Sequence, residues 1–235
     1  MVKCLIFDCD GTLVDSELLG HQALEIKLRD YGIRTSAQTL MEKYRGGKLA
    51  DILSELEDEH NIRLNEHFVK DYRKLVAQLF EKELSACEGV SQFLDQNTLP
   101  VAVASNGPLE KINQALEVTN LKKYFKHHVY SAYDINSWKP HPGLFLYAAQ
   151  KMGYLPMECL VVEDSLRGIE AGLAAGMHTV LFDPLEMHKG IQGVEKISEM
   201  DKLAEVISKC NLKGVTPVPN PSEGAKDNRS RIGQS

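Results

Sequence analysis

The chain opens on an apolar run that gives way to carboxylates within a few residues. Leu5, Ile6 and Phe7 are followed directly by Asp8 and, two positions later, by Asp10. An unbroken apolar run of this kind is typical of a strand that is covered on both faces in a parallel sheet. Because side chains two positions apart on extended backbone point the same way, both carboxylates should enter one small volume. The pattern predicts a buried strand that ends at an acidic site.

The next part of the chain has helical periodicity and no strand signal. Leu24 and Leu28 are four positions apart, and Gly32 stands where a left-handed residue commonly ends a helix. Ser16 and Ser36 are of the residue type that commonly caps the start of a helix. The pattern predicts four helices, over residues 17–31, 37–44, 49–60 and 65–83.

From about residue 88, short apolar runs alternate with helical segments. The predicted strands cover residues 99–104, 129–132, 159–162 and 179–182, and predicted helices end near residues 120, 152, 175 and 210. This alternation is typical of an α/β fold, a doubly wound parallel sheet with helices on both faces. Right-handed crossovers then bring the carboxyl ends of the strands to one edge of the sheet.

The order of these segments predicts the domain organisation. Residues 1–15 and 84–212 should form the α/β core, and the helical residues 16–83 should form an inserted α-helical cap. Because the insertion directly follows the acidic loop, we expect it to cover the site and exclude water, with hinges at its two connections. Residues 213–235 are rich in Pro, Ser and charge and lack apolar periodicity, so we expect a flexible tail.

Composition narrows the classes of function. The 235 residues are 43% apolar, carry a net charge of −6 and contain no basic stripe, so we expect no nucleic-acid partner and no membrane surface. The five cysteines are odd in number and include no C-x-x-C pair, which favours reduced thiols in the cytoplasm. The N-terminus resembles neither a signal peptide nor a transmembrane span. We expect a cytoplasmic protein that is a monomer or a weak homodimer.

Polar motifs follow the first, second and fourth predicted strands, at the edge where their carboxyl ends meet. A Lys-Pro pair lies between the last two. Each motif has an ordinary structural explanation when it stands alone, such as a helix cap, a turn or a surface lysine. Their occurrence together is difficult to explain by structural need, so we interpret the set as a functional site. Its members are Asp8 and Asp10, Ser105 and Asn106, Lys139, and Glu163 and Asp164.

These residue types suit phosphoryl transfer through a covalent intermediate. Asp8 is the candidate nucleophile, because a phosphorylated carboxylate splits hydrolysis into two in-line steps. Asp10 can protonate the leaving oxygen and later take a proton from water, provided that it starts protonated in a crowded acidic site. Lys139 would neutralise charge between nucleophile and phosphate. Ser105 and the amides around Asn106 would bind the phosphate oxygens of a small phosphorylated metabolite.

Carboxylates that converge on one volume need a cation or a shared proton. Mg²⁺ is the cation that we expect, because it prefers hard oxygen ligands and commonly shares them with a substrate phosphate. Its expected ligands are Asp8, the backbone carbonyl of Asp10, Asp164, and Glu163 either directly or through water.

The order of the motifs resembles that of the haloacid dehalogenase-like hydrolase superfamily over residues 1 to about 185. The resemblance implies a Mg²⁺-dependent aspartyl-phosphate mechanism. Dehalogenases themselves lack the second aspartate, so Asp10 argues against cleavage of carbon–halogen bonds. The matching motifs are Asp8-x-Asp10-Gly11-Thr12, Ser105-Asn106, Lys139-Pro140 and Glu163-Asp164-Ser165-x-x-Gly168.

The helical insertion is similar to that of the β-phosphoglucomutase and sugar-phosphate phosphatase branch. The mutases carry a histidine five residues after the aspartate that matches Asp15, where this chain has Gly20 and then His21. This departure argues against a mutase.

Residues 44–48, 104–108 and 133–140 are most similar to bacterial 6-phosphogluconate phosphatases of the same branch. Arg45 and Lys48 in the first of these segments could hold a substrate carboxylate or hydroxyls, or could belong to a solvated turn.

Three classes of function therefore compete. The favoured one is a phosphatase that acts on a small sugar phosphate or sugar-acid phosphate. A phosphosugar mutase shares the covalent intermediate but returns the phosphoryl group to the sugar. A binding module that senses a phosphorylated metabolite without turnover is disfavoured, because it needs no nucleophile.

Overall fold

A computed structural model of the protein describes residues 1–44, 47–188 and 193–212. Its six strands are β1 (Cys4–Phe7), β2 (Val101–Ser105), β3 (Val129–Ser131), β4 (Cys159–Glu163), β5 (His178–Phe182) and β6 (Glu195–Ile197). They form one parallel sheet in the order β3-β2-β1-β4-β5-β6. Strand order reverses between β1 and β4, which is where open parallel sheets bind their ligands. The predicted α/β fold is confirmed.

Helices follow the strands and also fill the predicted insertion. They are α1 (Glu17–Arg29), α2 (Ala37–Tyr44), α3 (Leu49–His60), α4 (Phe68–Glu83), α5 (Val90–Gln96), α6 (Leu109–Val118), α7 (Lys122–Phe125), α8 (Ala132–Ile135), α9 (Gly143–Met152), α10 (Leu166–Ala174) and α11 (Leu203–Leu212).

Strand β1 is buried on both faces, as its unbroken apolar run predicts. Leu5 and Phe7 pack into the cluster on one face, whereas Cys4 and Ile6 pack into the cluster on the other. All four side chains are fully buried. This alternation is the two-residue period of extended backbone. Packing on both faces fixes the strand, and with it the position of Asp8 at its carboxyl end.

Helices α1 to α4 surround a hydrophobic cluster of their own. Leu24, Leu28, Leu40, Leu56 and Phe68 belong to it. We call α1–α4 the cap helices, the described part of residues 16–83 the cap and the rest of the described chain the core, following the division that the sequence suggests. The two connections between these parts lie side by side, because Val14 and Ala86 form an antiparallel bridge.

Several predicted boundaries are wrong in detail. Helix α4 begins at Phe68 rather than at Asn65, because the Asn65 side chain accepts a hydrogen bond from the His67 backbone N–H at 3.0 Å in the preceding turn. Strand β6 was not predicted; it is only three residues long, and Glu195 and Lys196 are exposed.

The predicted tail, residues 213–235, lies outside the described residues. No helix in the described ranges is both long and apolar enough to cross a membrane.

Candidate active site

A cavity of about 380 Å³ lies between the cap helices and the carboxyl edge of the sheet. The ends of three strands supply its floor, since Asp8 follows β1, Ser105 ends β2 and Glu163 ends β4. Those sequence-predicted site residues that are described all line this one cavity: Asp8, Asp10, Lys48, Ser105, Asn106, Lys139, Glu163 and Asp164. Arg45, the remaining candidate, lies outside the described residues.

The Lys139 side chain joins two strand ends. Its ammonium group forms ion pairs with Asp8 and, at 2.6 Å, with Glu163 Oε1, and only 3% of the side chain is exposed. Burial alone would lower the pKa of Lys139, but attraction to the two carboxylates outweighs it and holds the pKa above its usual value. Lys139 is therefore charged wherever the protein is folded near neutral pH.

One ammonium group does not balance the acids around it. Burial raises the pKa of Asp8 above its usual range, and the charges of Glu163 and Asp10 add to that effect against the opposing attraction of Lys139. The ionised form of Asp8 is thus disfavoured, first by burial and then by the neighbouring carboxylates. A further cation beside it would favour its ionised form.

The arrangement of oxygen atoms fits a hard metal ion. Carboxylate oxygens of Asp8, Glu163 and Asp164 lie within 4.8 Å of one another, and all three residues are buried. A Cβ atom at Gly11 would lie 2.2 Å from Asp164 Oδ2, so the site requires glycine at this position. Thr12 donates a hydrogen bond to Asp164 Oδ1 at 3.3 Å. An all-oxygen set of this kind is what Mg²⁺ prefers.

Glu163 is held from two directions. Its Oε2 accepts hydrogen bonds from the backbone N–H of Ser165 at 3.0 Å and from the Ser165 hydroxyl at 2.8 Å, while Oε1 contacts Lys139. A Cβ at Gly168 would lie 1.8 Å from the Glu163 carboxyl carbon, so the first turn of α10 can pass the carboxylate only because residue 168 is glycine. The motif therefore fixes one carboxylate and its orientation.

Asp10 does not have the environment that the sequence analysis assumed. Its Oδ1 atom accepts hydrogen bonds from Lys111 at 2.8 Å and from the Ser16 hydroxyl. Burial alone would raise the pKa of Asp10, but Lys111 and Ser16 outweigh it and hold the pKa below its usual value. The expectation that Asp10 starts protonated is therefore wrong for this arrangement. Ser16 also makes no side-chain cap on α1, because its backbone is already helical (φ −96°, ψ −15°) whereas a capping residue is normally extended; its hydroxyl donates to Asp10.

The side-chain amide of Asn106 contacts the backbone of Lys139. Its Oδ1 accepts a hydrogen bond from the Lys139 backbone N–H at 3.0 Å, and its Nδ2 lies 3.5 Å from the Lys139 carbonyl oxygen. Ser105 is buried, and its hydroxyl accepts a hydrogen bond from the Gly107 backbone N–H at 3.1 Å. The loop after β2 thus positions Lys139, and its residues Ser105, Asn106 and Gly107 line the cavity.

The cap contributes cations and aromatic contacts. Lys48 precedes α3, and its ammonium lies 5.0 Å from the ring centroid of Trp138 in the core. Arg73 of α4 lies over the ring of Tyr133, 5.8 Å from its centroid. His21 is buried and also lines the cavity, although it stands one position away from the site of the mutase histidine.

Sequence reasoning missed Lys111 and His188. Lys111 lies in the first turn of α6, directly after the Ser105 loop, and a basic residue beside a predicted acidic site was the available signal. His188 Nε2 lies 3.0 Å from the backbone carbonyl oxygen of Asp164, a contact with no local pattern in the sequence.

Comparisons with known proteins identify the family of this chain. A family model described as haloacid dehalogenase-like hydrolase matches residues 5–182. The chain is also 36% identical over 182 residues to the 6-phosphogluconate phosphatase of Escherichia coli (strain K12), an alignment that covers 77% of this chain and 82% of that protein. The chain belongs to the haloacid dehalogenase-like hydrolase family.

Solved structures of haloacid dehalogenase-like proteins have the same fold. One from Agrobacterium tumefaciens is 31% identical with a TM-score of 0.77, and the match covers 90% of this chain and 100% of that chain. A family hydrolase from Deinococcus radiodurans, with bound phosphate and sodium, is 26% identical with a TM-score of 0.71, covering 92% and 99%. The resemblance that the four motifs indicate is confirmed.

Replacing Gly168 with alanine should destabilise the protein, because the added Cβ would collide with the Glu163 carboxyl group. We expect the free energy of unfolding to fall by about 1–3 kcal/mol, as for other overpacked buried positions. Urea denaturation measures this change.

Gly20→Ala is a matched control within α1, since its Cβ would lie 3.5 Å from the Tyr72 hydroxyl oxygen, an ordinary contact. Alanine is favoured over glycine inside a helix by about 0.5–1 kcal/mol, so this variant should be at least as stable as the wild type. Equal destabilisation of both variants would contradict the specific collision.

Proposed function

We propose that this protein is a Mg²⁺-dependent phosphatase that hydrolyses a small sugar phosphate or sugar-acid phosphate through a phosphorylated Asp8. The observation that supports it most directly is the buried carboxylate of Asp8 at the floor of the cavity, paired with Lys139 and beside Glu163 and Asp164. A phosphate-sensing module would not need a nucleophile in this position. The family membership and the phosphatases among its relatives support the same reaction class.

In the first step, a carboxylate oxygen of Asp8 attacks phosphorus, and the bond from phosphorus to the sugar oxygen breaks. Lys139 stabilises the negative charge that gathers between nucleophile and phosphate. The Ser105 hydroxyl and backbone N–H groups of its loop hydrogen-bond the phosphoryl oxygens. In the second step, water attacks phosphorus and releases Asp8 and inorganic phosphate.

Asp10 handles the protons of both steps. Lys111 holds it ionised in the resting site, so the proton for the leaving oxygen enters with the substrate. A phosphate monoester has a second pKa of about 6, and the protonated fraction can deliver this proton to Asp10. Asp10 passes it to the leaving sugar oxygen and, once ionised again, takes a proton from the attacking water. It then gives that proton to the departing phosphate, which returns Asp10 to its ionised resting state.

Asp8, Asp164 and the backbone carbonyl of Asp10 would hold Mg²⁺, with Glu163 nearby. When bound, the ion would supply positive charge that favours ionised Asp8 and offsets the charge of the phosphate. The buried acidic cluster and its deficit of positive charge support this assignment.

The substrate class rests on the cap. Lys48 and Arg73 bring positive charge from the cap to the same cavity that the acids line. An anionic group at the far end of a sugar phosphate, such as the carboxylate of a sugar acid, would be complementary to them. The similarity to a 6-phosphogluconate phosphatase supports a substrate like 6-phosphogluconate.

A phosphosugar mutase is the alternative function. One observation favours it: His21 lines the cavity, although it lies one position after the site of the mutase histidine. Product analysis separates the two functions. A panel of phosphorylated sugars and sugar acids, incubated with enzyme and Mg²⁺, should yield inorganic phosphate. A mutase would instead give an isomeric sugar phosphate with no free phosphate.

We expect Asp8→Asn to abolish turnover while the protein stays folded, because an amide has nearly the same volume but cannot form the phosphorylated intermediate. Phosphate release with the best substrate of the panel should fall by at least about a thousandfold, the scale for loss of a nucleophile. A far-ultraviolet circular dichroism spectrum checks the fold. Retention of more than a few per cent of the wild-type rate would refute the covalent scheme.

We expect Lys48→Ala to raise KM for a carboxylated sugar phosphate by about tenfold or more, as loss of one charge-assisted hydrogen bond implies. For p-nitrophenyl phosphate, which has no carboxylate for Lys48 to bind, kcat/KM should change by less than about twofold.

Lys43→Ala is the control for cap charge, because Lys43 pairs with Glu59 at 2.7 Å on the exposed surface of the cap. It should leave both substrates unaffected. Equal losses of kcat/KM for both substrates in Lys48→Ala would mean that Lys48 does not bind the far end of the sugar.

A further inference from the structure

We infer that Lys111 is a positioning residue that fixes the Asp10 carboxylate through its Oδ1 atom, so that Oδ2 is the oxygen that exchanges protons with the reacting group. The inference rests on the proposed function and extends it to a residue outside the four sequence motifs. It follows from which donors reach each oxygen of Asp10, and from what holds Lys111 itself.

Both hydrogen bonds to Asp10 end on the same oxygen. The ammonium of Lys111 lies 2.8 Å from Oδ1, and the Ser16 hydroxyl also donates to Oδ1. The two donors come from different elements, since Lys111 is in α6 and Ser16 directly precedes α1. A carboxylate rotates readily about its terminal torsion unless its oxygens are held. Two donors on one oxygen select one rotamer.

The other oxygen of Asp10 is directed to the loop that follows β2. A Cβ built on Gly107 would lie 3.7 Å from Asp10 Oδ2 and 3.5 Å from the Ser105 hydroxyl oxygen. Oδ2 therefore lies on the side of the Ser105 loop, which is the proposed phosphate-binding loop. A leaving oxygen attached to that phosphate would be within reach of Oδ2 and not of Oδ1, which Lys111 and Ser16 cover.

Lys111 is in turn held by the cap. Its ammonium lies 5.6 Å from the ring centroid of Phe80 in α4, a fully buried side chain. One turn further along α6, the Gln114 side chain donates a hydrogen bond to the backbone carbonyl of Ala77 in α4 at 3.0 Å. The orientation of Asp10 thus depends on where α4 lies relative to α6. Placement of the cap and alignment of the acid–base group are connected through one lysine.

The proton balance of the two steps defines what Lys111 should affect. As the bond from phosphorus to the leaving oxygen breaks, Oδ2–H gives its proton to that oxygen, and the electron pair of the broken bond becomes the new O–H bond. A sugar alkoxide needs this proton, whereas p-nitrophenolate leaves without one. Misplacing Oδ2 should therefore slow alkyl esters selectively.

The test is Lys111→Met, which keeps the length of the side chain and removes the ammonium donor. The quantity to measure is kcat/KM, since it reports only on events up to release of the first leaving group. For the alkyl phosphate that the panel identifies, kcat/KM should fall by at least about tenfold, a part of the roughly 100- to 10,000-fold that general acid catalysis contributes. For p-nitrophenyl phosphate it should fall by less than about threefold. Lys111→Arg, which keeps a cationic donor, should recover most of the alkyl activity.

Lys123→Met is the matched control, because Lys123 is an exposed lysine of α7 that contacts the Tyr124 ring away from the cavity. It should behave as the wild type. Ser16→Ala removes the second donor to Oδ1 and should show the same selective loss, which keeps the test valid if Lys111→Met does not fold. Equal losses on both esters, or no loss on either, would overturn the role of Lys111. Failure of the proposed function would appear separately, as an active Asp8→Asn enzyme.

Discussion

The ion pairs of Lys139 with Asp8 and Glu163 are the interaction on which the site depends. They lie at the point where the strand order reverses, and they join the ends of β1 and β4 through one buried ammonium group. Removing one partner of a buried pair leaves an uncompensated charge and commonly costs about 3–5 kcal/mol. One ammonium group between two carboxylates also leaves an excess of negative charge, which a further cation or a proton would balance.

Much of the surrounding sequence serves to hold this charged group in place. The Asn106 side chain hydrogen-bonds the backbone N–H and C=O of Lys139. Ser165 donates two hydrogen bonds to Oε2 of Glu163. Gly11 and Gly168 allow close approach of backbone to Asp164 and Glu163, where any side chain would collide. The motif residues are therefore of two kinds. Some would contact the substrate or metal. Others hold those contacting groups in one orientation and do not themselves contact the substrate or metal.

The sequence predicted the features that depend on local pattern, and it missed those that depend on distant contacts. The unbroken apolar run of β1 and the alternation after residue 88 were sufficient to predict a parallel sheet with acids at its carboxyl edge. Strand β6 was missed because three residues with two exposed side chains carry no periodic signal. The state of Asp10 was mispredicted because Lys111 is 101 residues away in the chain and only the fold brings it within 2.8 Å. Ser16 has the residue type of a helix cap, but its backbone is helical instead of extended, so its hydroxyl caps no N–H and donates to Asp10.

In the proposed reaction, Asp8 carries the phosphoryl group between the two steps of hydrolysis. The direct measurement is to mix enzyme, Mg²⁺ and substrate, quench with acid within milliseconds, digest with a protease that works at low pH, and locate the modified residue by mass spectrometry. We expect one phosphoryl group on the peptide that contains Asp8. It should form at least as fast as turnover and be absent from Asp8→Asn. Phosphate release at the full rate, with no phosphorylated peptide at any quench time or with the phosphoryl group on another residue, would contradict it.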